Sequence, residues 1–140
     1  MTKNERLFPL YSKLQSIVST ARNKEKGKPY GNNLRVRKDF SLFLGVEFYS
    51  VKHHNTDIIR IFRDQNDNLQ CLINNGGWYS VTTKKNLNKF LDYIGYYIYQ
   101  EKGVWYLIDR INHVTFEYDN RPEIGSTAID LLVQDIKEST

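Results

Sequence analysis

Two adjacent histidines and a nearby aspartate are the first residues whose types could support chemistry. His53, His54 and Asp57 could act as metal ligands, or as a base with the carboxylate that orients it. Their spacing is diagnostic of neither, because the chain has only three histidines and its one cysteine, Cys71, lies far along the sequence. Histidines in a loop before a strand are the plainer interpretation. The sequence therefore predicts no metal site and no catalytic residue. The alternative is a small phosphate-processing enzyme that uses these three residues together with Lys84.

A second stretch, residues 76–85, combines a glycine turn, a tryptophan and a helix start with paired threonines and lysines. Such a helix start offers free backbone N–H groups, hydroxyls and ammonium groups, which together can hold a phosphate. The spacing of a nucleotide phosphate loop, GxxxxGK[ST], is absent. In the structural alternative the threonines cap the helix, the glycines make a turn and the tryptophan fills the core. The candidate ligand-binding residues are Trp78, Thr82, Thr83, Lys84 and Lys85.

Positive charge is concentrated between Arg22 and Lys38, where Glu25 is the one acidic residue. With Tyr30 and Phe40 nearby, this segment could lie along a nucleic-acid backbone and stack a base. An ordinary solvated loop is the alternative. Its glycines, proline and asparagines predict an exposed basic loop over residues 22–39. The candidate nucleic-acid or anion surface consists of Arg22, Lys24, Lys26, Lys28, Arg35, Arg37 and Lys38.

The chain that must position these residues has 140 amino acids, 40% of them hydrophobic and 26% charged, which is ordinary for one globular domain. We therefore expect a single α+β domain over residues 1–140. The formal net charge of +4 mildly favours anionic partners. Cys71 cannot form an internal disulfide, and we find neither a secretory leader nor an apolar run long enough for a membrane helix. These features predict a soluble protein that is located in a reducing cytoplasm and does not associate with a membrane.

Apolar residues at helical spacing predict three helices. A stripe from Leu7 to Ala21 marks the first. Thr82 or Thr83 caps the second, and Gly95 ends it. The third lies near the C-terminus, over residues 124–136.

Aromatic and β-branched runs predict six strands, over residues 40–51, 56–63, 69–74, 96–100, 104–109 and 113–118. The links between most of them are short, which implies mainly antiparallel pairing. The predicted fold class is α+β, with a mainly antiparallel sheet of about five to six strands and with N-terminal, central and C-terminal helices packed on it.

Three strings of residues are distinctive: HNTD at 54–57, NNGGW at 74–78 and SVTTK at 80–84. They resemble a family of small uncharacterised bacteriophage and prophage proteins that show HNTD, NSGGW and TVTTK in the same order. The resemblance covers residues 53–118, and the chain departs from it where Asn75 replaces a common Ser and Tyr79 a common Arg. It implies a phage accessory protein, and it carries over no catalytic residue.

The resemblance, together with the basic and aromatic residues, favours a non-enzymatic, phage-encoded accessory protein that binds a host component, either nucleic acid or a nucleotide signal, in counter-defence or host takeover. A binding protein needs no catalytic motif, and an aromatic-rich sheet with basic residues can supply both stacking and phosphate contacts. We expect no cofactor and a site of action in the host cytoplasm. A host protein and a second copy of the chain stay open as partners. The alternatives are the small phosphate-processing enzyme and a virion or assembly component.

Overall fold

The computed structural model describes residues 2–31, 33–42 and 45–118. Its helices are α1 (Lys3–Ser19) and α2 (Val81–Leu91), and a 3-10 helix (Asp92–Ile94) follows α2 directly. Its strands are β1 (Lys28–Pro29), β2 (Leu34–Ser41), β3 (Val46–His53), β4 (Thr56–Arg63), β5 (Leu69–Ile73), β6 (Tyr96–Glu101), β7 (Val104–Asp109) and β8 (Val114–Glu117). The mixed α and β composition agrees with the predicted class.

The strands form two antiparallel sheets, so the prediction of one sheet with five to six strands is wrong. One sheet has the order β1-β2-β3-β4-β5 and the other β6-β7-β8. The sheets separate where α2 follows β5, and the Asn88 side chain of α2 then occupies the free edge of β6. Its amide donates to the Ile98 carbonyl at 2.8 Å and accepts from the Ile98 N–H at 2.6 Å, as a neighbouring strand would.

The first helix is confirmed, although it begins at Lys3 and ends at Ser19. It starts early because Thr2 and Glu5 form a capping box, in which each side chain bonds the backbone N–H of the other. The central helix is also confirmed, but Ser80 caps it in place of Thr82 or Thr83. The predicted C-terminal helix over residues 124–136 lies outside the described residues.

The prediction of a loop over residues 22–39 is wrong from residue 28 onward, where β1 and β2 lie. Leu34 and Val36 of β2 face the core, while Arg35 and Arg37 alternate with them on the other side of the sheet. The predicted strand over 40–51 is likewise divided between the end of β2 and β3.

The core lies between α1 and one face of the five-stranded sheet, and it extends to α2 and the three-stranded sheet. The strand register places one fully buried apolar row across the larger sheet: Val36, Val51, Ile59 and Ile73. The leucines of α1 pack in the same cluster. The opposite face of the sheet carries polar pairs, among them Arg35 beside Lys52.

A buried ion pair links α1 to the three-stranded sheet. The Arg6 guanidinium donates to the two carboxylate oxygens of Asp109 at 2.8 and 2.5 Å. It also donates to the Ile94 carbonyl and lies 4.1 Å from the centre of the Tyr96 ring. Asp109 accepts further bonds from the backbone of the β7–β8 turn. Both charged groups are thus removed from water with multiple hydrogen-bond partners, as stable burial of charge requires.

Replacing Arg6 with Met should lower the free energy of unfolding by about 3–5 kcal/mol, because the Asp109 carboxylate stays buried without its cation. Adding Asp109→Asn to that variant should recover part of the loss, since no uncompensated charge remains. The measurement is urea unfolding of both variants and of Arg110→Gln, which breaks an exposed pair with Asp92 and should cost under about 1 kcal/mol. A loss at Arg6 no larger than the loss at Arg110 would contradict the structural role given to the buried pair.

Candidate functional site

A groove of about 620 Å³ lies between the β3–β4 turn and residues 74–83, and we call it the Trp78 groove. The residues that line its wall include Asn33, His53, His54, Trp78, Thr82 and Thr83. Trp78 is 68% exposed, so the structural alternative in which it fills the core is wrong. The tryptophan that fills the core is Trp105, which is 1% exposed.

A glycine turn sets the path of the chain into Trp78. The side-chain oxygens of Asn74 and Asn75 accept from the N–H groups of Gly76 and Gly77, each at 2.8 Å. Gly76 has a φ of 64°, and a Cβ at this position would lie 2.7 Å from the Thr56 hydroxyl oxygen. Only glycine meets both conditions without displacing a neighbour, so the turn packs closely against β4.

Tyr79 anchors the other side of the same segment. Its ring packs edge-on against Trp105 at 5.1 Å between centroids and lies 6.5 Å from the ring of Tyr118. Because Tyr79 points toward this cluster and the glycine turn abuts Thr56, the segment is held from both sheets. Trp78, between these two anchors, projects outward into solvent.

The start of α2 forms one wall of the groove. The Ser80 hydroxyl accepts from the Thr83 N–H at 3.1 Å, and the hydroxyls of these two residues are 2.9 Å apart. Thr83 is buried, and Thr82 is exposed. The structure therefore brings Trp78, Thr82 and Thr83 of the predicted ligand site to one groove.

The two predicted lysines lie elsewhere. Lys84 reaches the side chain of Gln100 at 3.4 Å, and Lys85 lines a separate groove further along α2. Neither is among the residues that line the Trp78 groove.

The histidine pair forms the wall opposite α2. His54 and Asn55 are the two loop residues of the β3–β4 hairpin, and the positive φ of His54, 53°, is typical of such turns. The rings of His53 and His54 lie 4.3 Å apart. Partial burial and the neighbouring His54 lower the pKa of His53 below its usual range. At neutral pH His53 thus presents an uncharged imidazole.

Asp57 does not join the histidines, so the four residues of the enzyme alternative do not converge. Its carboxylate accepts from Arg37 at 3.2 Å and from Arg60 at 2.9 Å, on the polar face of the sheet. Within the described part of the chain, no group of three or more His, Cys, Asp and Glu residues could hold a metal ion. Cys71 is buried in β5, where desolvation raises the pKa of its thiol to about 12, so a thiolate does not form at neutral pH.

A second groove of about 560 Å³ adjoins the Trp78 groove and shares Asn33 and His54 with it. Its cations are Arg35 and Lys52, which lie opposite each other on β2 and β3. We call this surface the Arg35 groove. The structure thus connects one residue of the predicted basic surface to the predicted ligand site. Sequence reasoning missed Asn33 and Lys52 here, because only the register of β2 and β3 brings them together.

The rest of the predicted basic surface is dispersed. Arg37 forms ion pairs with Asp39 and Asp57, while Lys38 points to the opposite face of the sheet and bonds Glu47 at 2.8 Å. Lys24 donates to the Ser19 carbonyl at the end of α1. The remaining members are Arg22 and Lys26, both exposed, and the half-buried Lys28. These residues do not form one continuous cationic surface.

Comparison with known proteins identifies a family. The model of a family described as Kyanoviridae Gp96 protein matches residues 18–127, a range that contains every residue of the Trp78 and Arg35 grooves. No curated protein and no solved structure matches the chain. Among the helices of the described residues, none is long and apolar enough to cross a membrane.

Replacing Gly76 with Ala should destabilise the protein more than Gly103→Ala does. Both glycines have positive φ values, 64° and 79°, so both substitutions carry the backbone strain of about 1–2 kcal/mol. Only at Gly76 does the added methyl meet Thr56, whereas nothing lies within 4 Å at Gly103. Urea unfolding of the two variants measures the difference, and equal losses would show that the contact with Thr56 does not constrain the turn.

Acidification should destabilise the protein partly through His53. Since its pKa is lowered in the folded state, the unfolded chain binds a proton more readily, and stability is lost as pH falls from about 6.5. His53→Gln should therefore reduce the fall in urea midpoint between pH 7.5 and 5.5. His113→Asn, at an exposed turn, is the control and should follow the wild-type profile. Parallel profiles for wild type and His53→Gln would contradict this assignment.

Proposed function

The chain belongs to the Kyanoviridae Gp96 protein family of phage proteins, and from that premise we propose that it is a non-enzymatic accessory protein that binds nucleic acid or a nucleotide of the host. The proposed site is the Trp78 groove, which receives the base, together with the Arg35 groove, which receives phosphate. The proposed place of action is the host cytoplasm, in counter-defence or host takeover.

The observation that carries the proposal is the exposed indole of Trp78 in a groove that continues to two cations. A base stacked on an aromatic side chain contributes about 1–3 kcal/mol to binding, and stacking tolerates any base. The volume of about 620 Å³ lies within the range of small-molecule sites. The uncharged His53 and the hydroxyl of Thr82 supply polar partners for a base or sugar.

The charge of the adjoining groove supports a phosphate as the second part of the ligand. Arg35 and Lys52 lie beside each other, and neither forms an ion pair within the described residues, although Arg35 also donates to the Gly27 carbonyl at 3.4 Å. By contrast, the neighbouring Arg37 is neutralised by two carboxylates. The two cations that adjoin the Trp78 groove therefore have no carboxylate partner in the described part of the chain, which leaves them available to an external anion.

Alanine at Trp78 should weaken the binding of adenosine monophosphate and of an eight-nucleotide single strand about five- to 150-fold, the equivalent of the missing stacking energy. Phe8→Ala, which removes an exposed aromatic ring of α1, is the control and should bind as wild type does. Fluorescence anisotropy with labelled ligands gives the affinities.

The double variant Arg35→Gln/Lys52→Gln should also weaken binding, while Arg22→Gln/Lys26→Gln removes the same charge from exposed positions that line neither groove. An equal loss in the two double variants would mean that overall charge attracts the ligand without a defined site. If neither ligand binds the wild type, or if Trp78→Ala binds as tightly as wild type, the proposed function is wrong.

A further inference from the structure

A third groove, of about 410 Å³, lies on the side of α2 that bears Lys85 and Lys89. Arg110 and Tyr97, from the three-stranded sheet, also line it. One carboxylate, Asp92, is present at this groove and lies 3.5 Å from Arg110. The groove therefore carries a net positive charge that the described residues do not neutralise.

The lysines of α2 repel each other in the absence of an anion. The helix, VTTKKNLNKFL, has three lysines and no acidic residue. Lys85 and Lys89 are one turn apart on the same side, where like charges destabilise a helix. A bound polyanion would remove this repulsion, so these positions gain more from phosphate than isolated surface lysines do.

Aromatic rings hold two of the three cations of this surface in place. The Arg110 guanidinium lies 4.6 Å from the centre of the Tyr97 ring, and the Lys89 ammonium lies 4.7 Å from the centre of the Tyr30 ring. Cations that are already positioned lose less side-chain entropy when they bind a phosphate.

The helix also connects this surface to the Trp78 groove. Thr82, Lys85 and Lys89 are spaced i, i+3 and i+7 and so lie along one side of α2. The rise from Thr82 to Lys89 is about 10 Å, the length of about three stacked nucleotides at ~3.4 Å each. A single-stranded nucleic acid with one base in the Trp78 groove can therefore place its next phosphates on Lys85 and Lys89.

We propose that the ligand is a single-stranded polynucleotide, with one unpaired base in the Trp78 groove and with its backbone on Lys85, Lys89 and Arg110. This inference rests on the proposed function and names its ligand class. A base within a duplex cannot enter the groove without unpairing, so duplexes bind more weakly.

The test compares Lys85→Gln/Lys89→Gln with Arg22→Gln/Lys26→Gln, each of which removes two charges. Glutamine and lysine have similar helix propensities, so α2 persists. The probes are labelled eight-nucleotide oligothymidylate and oligouridylate, the matching DNA duplex and thymidine monophosphate, each titrated at 50 and 200 mM salt. The two oligonucleotides distinguish DNA from RNA as the source of the strand.

We expect the wild type to bind the single strands more tightly than the duplex or the mononucleotide. The α2 variant should bind the single strands more weakly and the mononucleotide as wild type does. The salt slope is the slope of the logarithm of the association constant against the logarithm of the salt concentration. For the single strands, the slope of the α2 variant should be smaller in magnitude by about 0.7 for each phosphate that the lysines no longer neutralise. The control variant should keep the wild-type slope.

An unchanged slope in the α2 variant, or an equal loss for mononucleotide and strand, would overturn the inference while the Trp78 site could still bind nucleotides. Tighter binding of the duplex would also overturn it. Failure of the proposed function gives a different result, in which no probe binds the wild type or Trp78→Ala has no effect on any of them.

Discussion

The buried pair between Arg6 and Asp109 is the interaction on which the arrangement of the two sheets depends. The sheets share no strand hydrogen bonds within the described residues, and a hydrophobic core alone is not directional. The bidentate pair fixes α1, which packs on the larger sheet, to the end of β7 in the smaller one. The shape of the Trp78 groove depends on this arrangement, because Gly76 contacts Thr56 in one sheet and Tyr79 contacts Trp105 in the other. A shift between the sheets would therefore change the groove.

The same fold separates cations that serve the structure from cations that are available to a ligand. Arg6, Arg37 and Lys38 are bound to carboxylates of the chain. Arg35 and Lys52 lie beside the exposed indole, and Lys85 and Lys89 lie along the helix that begins at the groove. Net charge therefore describes the molecule less well than the positions of those cations that have no carboxylate partner among the residues that the structure describes, four of which lie beside Trp78 or along α2.

Local patterns predicted much of the fold. The strands β4 to β8 were predictable because they are aromatic and β-branched runs, and the apolar stripe of α1 was predictable because it repeats at the helical period. The strand β2 was missed because Leu34 and Val36 are two apolar residues among charges, so the basic composition hid the alternation. The division into two sheets was missed because one side chain, that of Asn88, occupies the edge of β6 in place of a strand, and no residue pattern marks it. For the site, residue types identified Trp78, but only strand register could place Lys52 beside Arg35.

The most direct test of this account is the NMR signal of the Trp78 indole N–H during titration with an eight-nucleotide single strand. The protein has two tryptophans, and Trp78→Phe assigns their two indole signals. Because Trp78 is exposed in the groove and Trp105 is buried in the core, we predict that the Trp78 signal moves progressively and saturates while the Trp105 signal changes little. A bound oligonucleotide that leaves the Trp78 signal in place would contradict the claim that this groove receives a base.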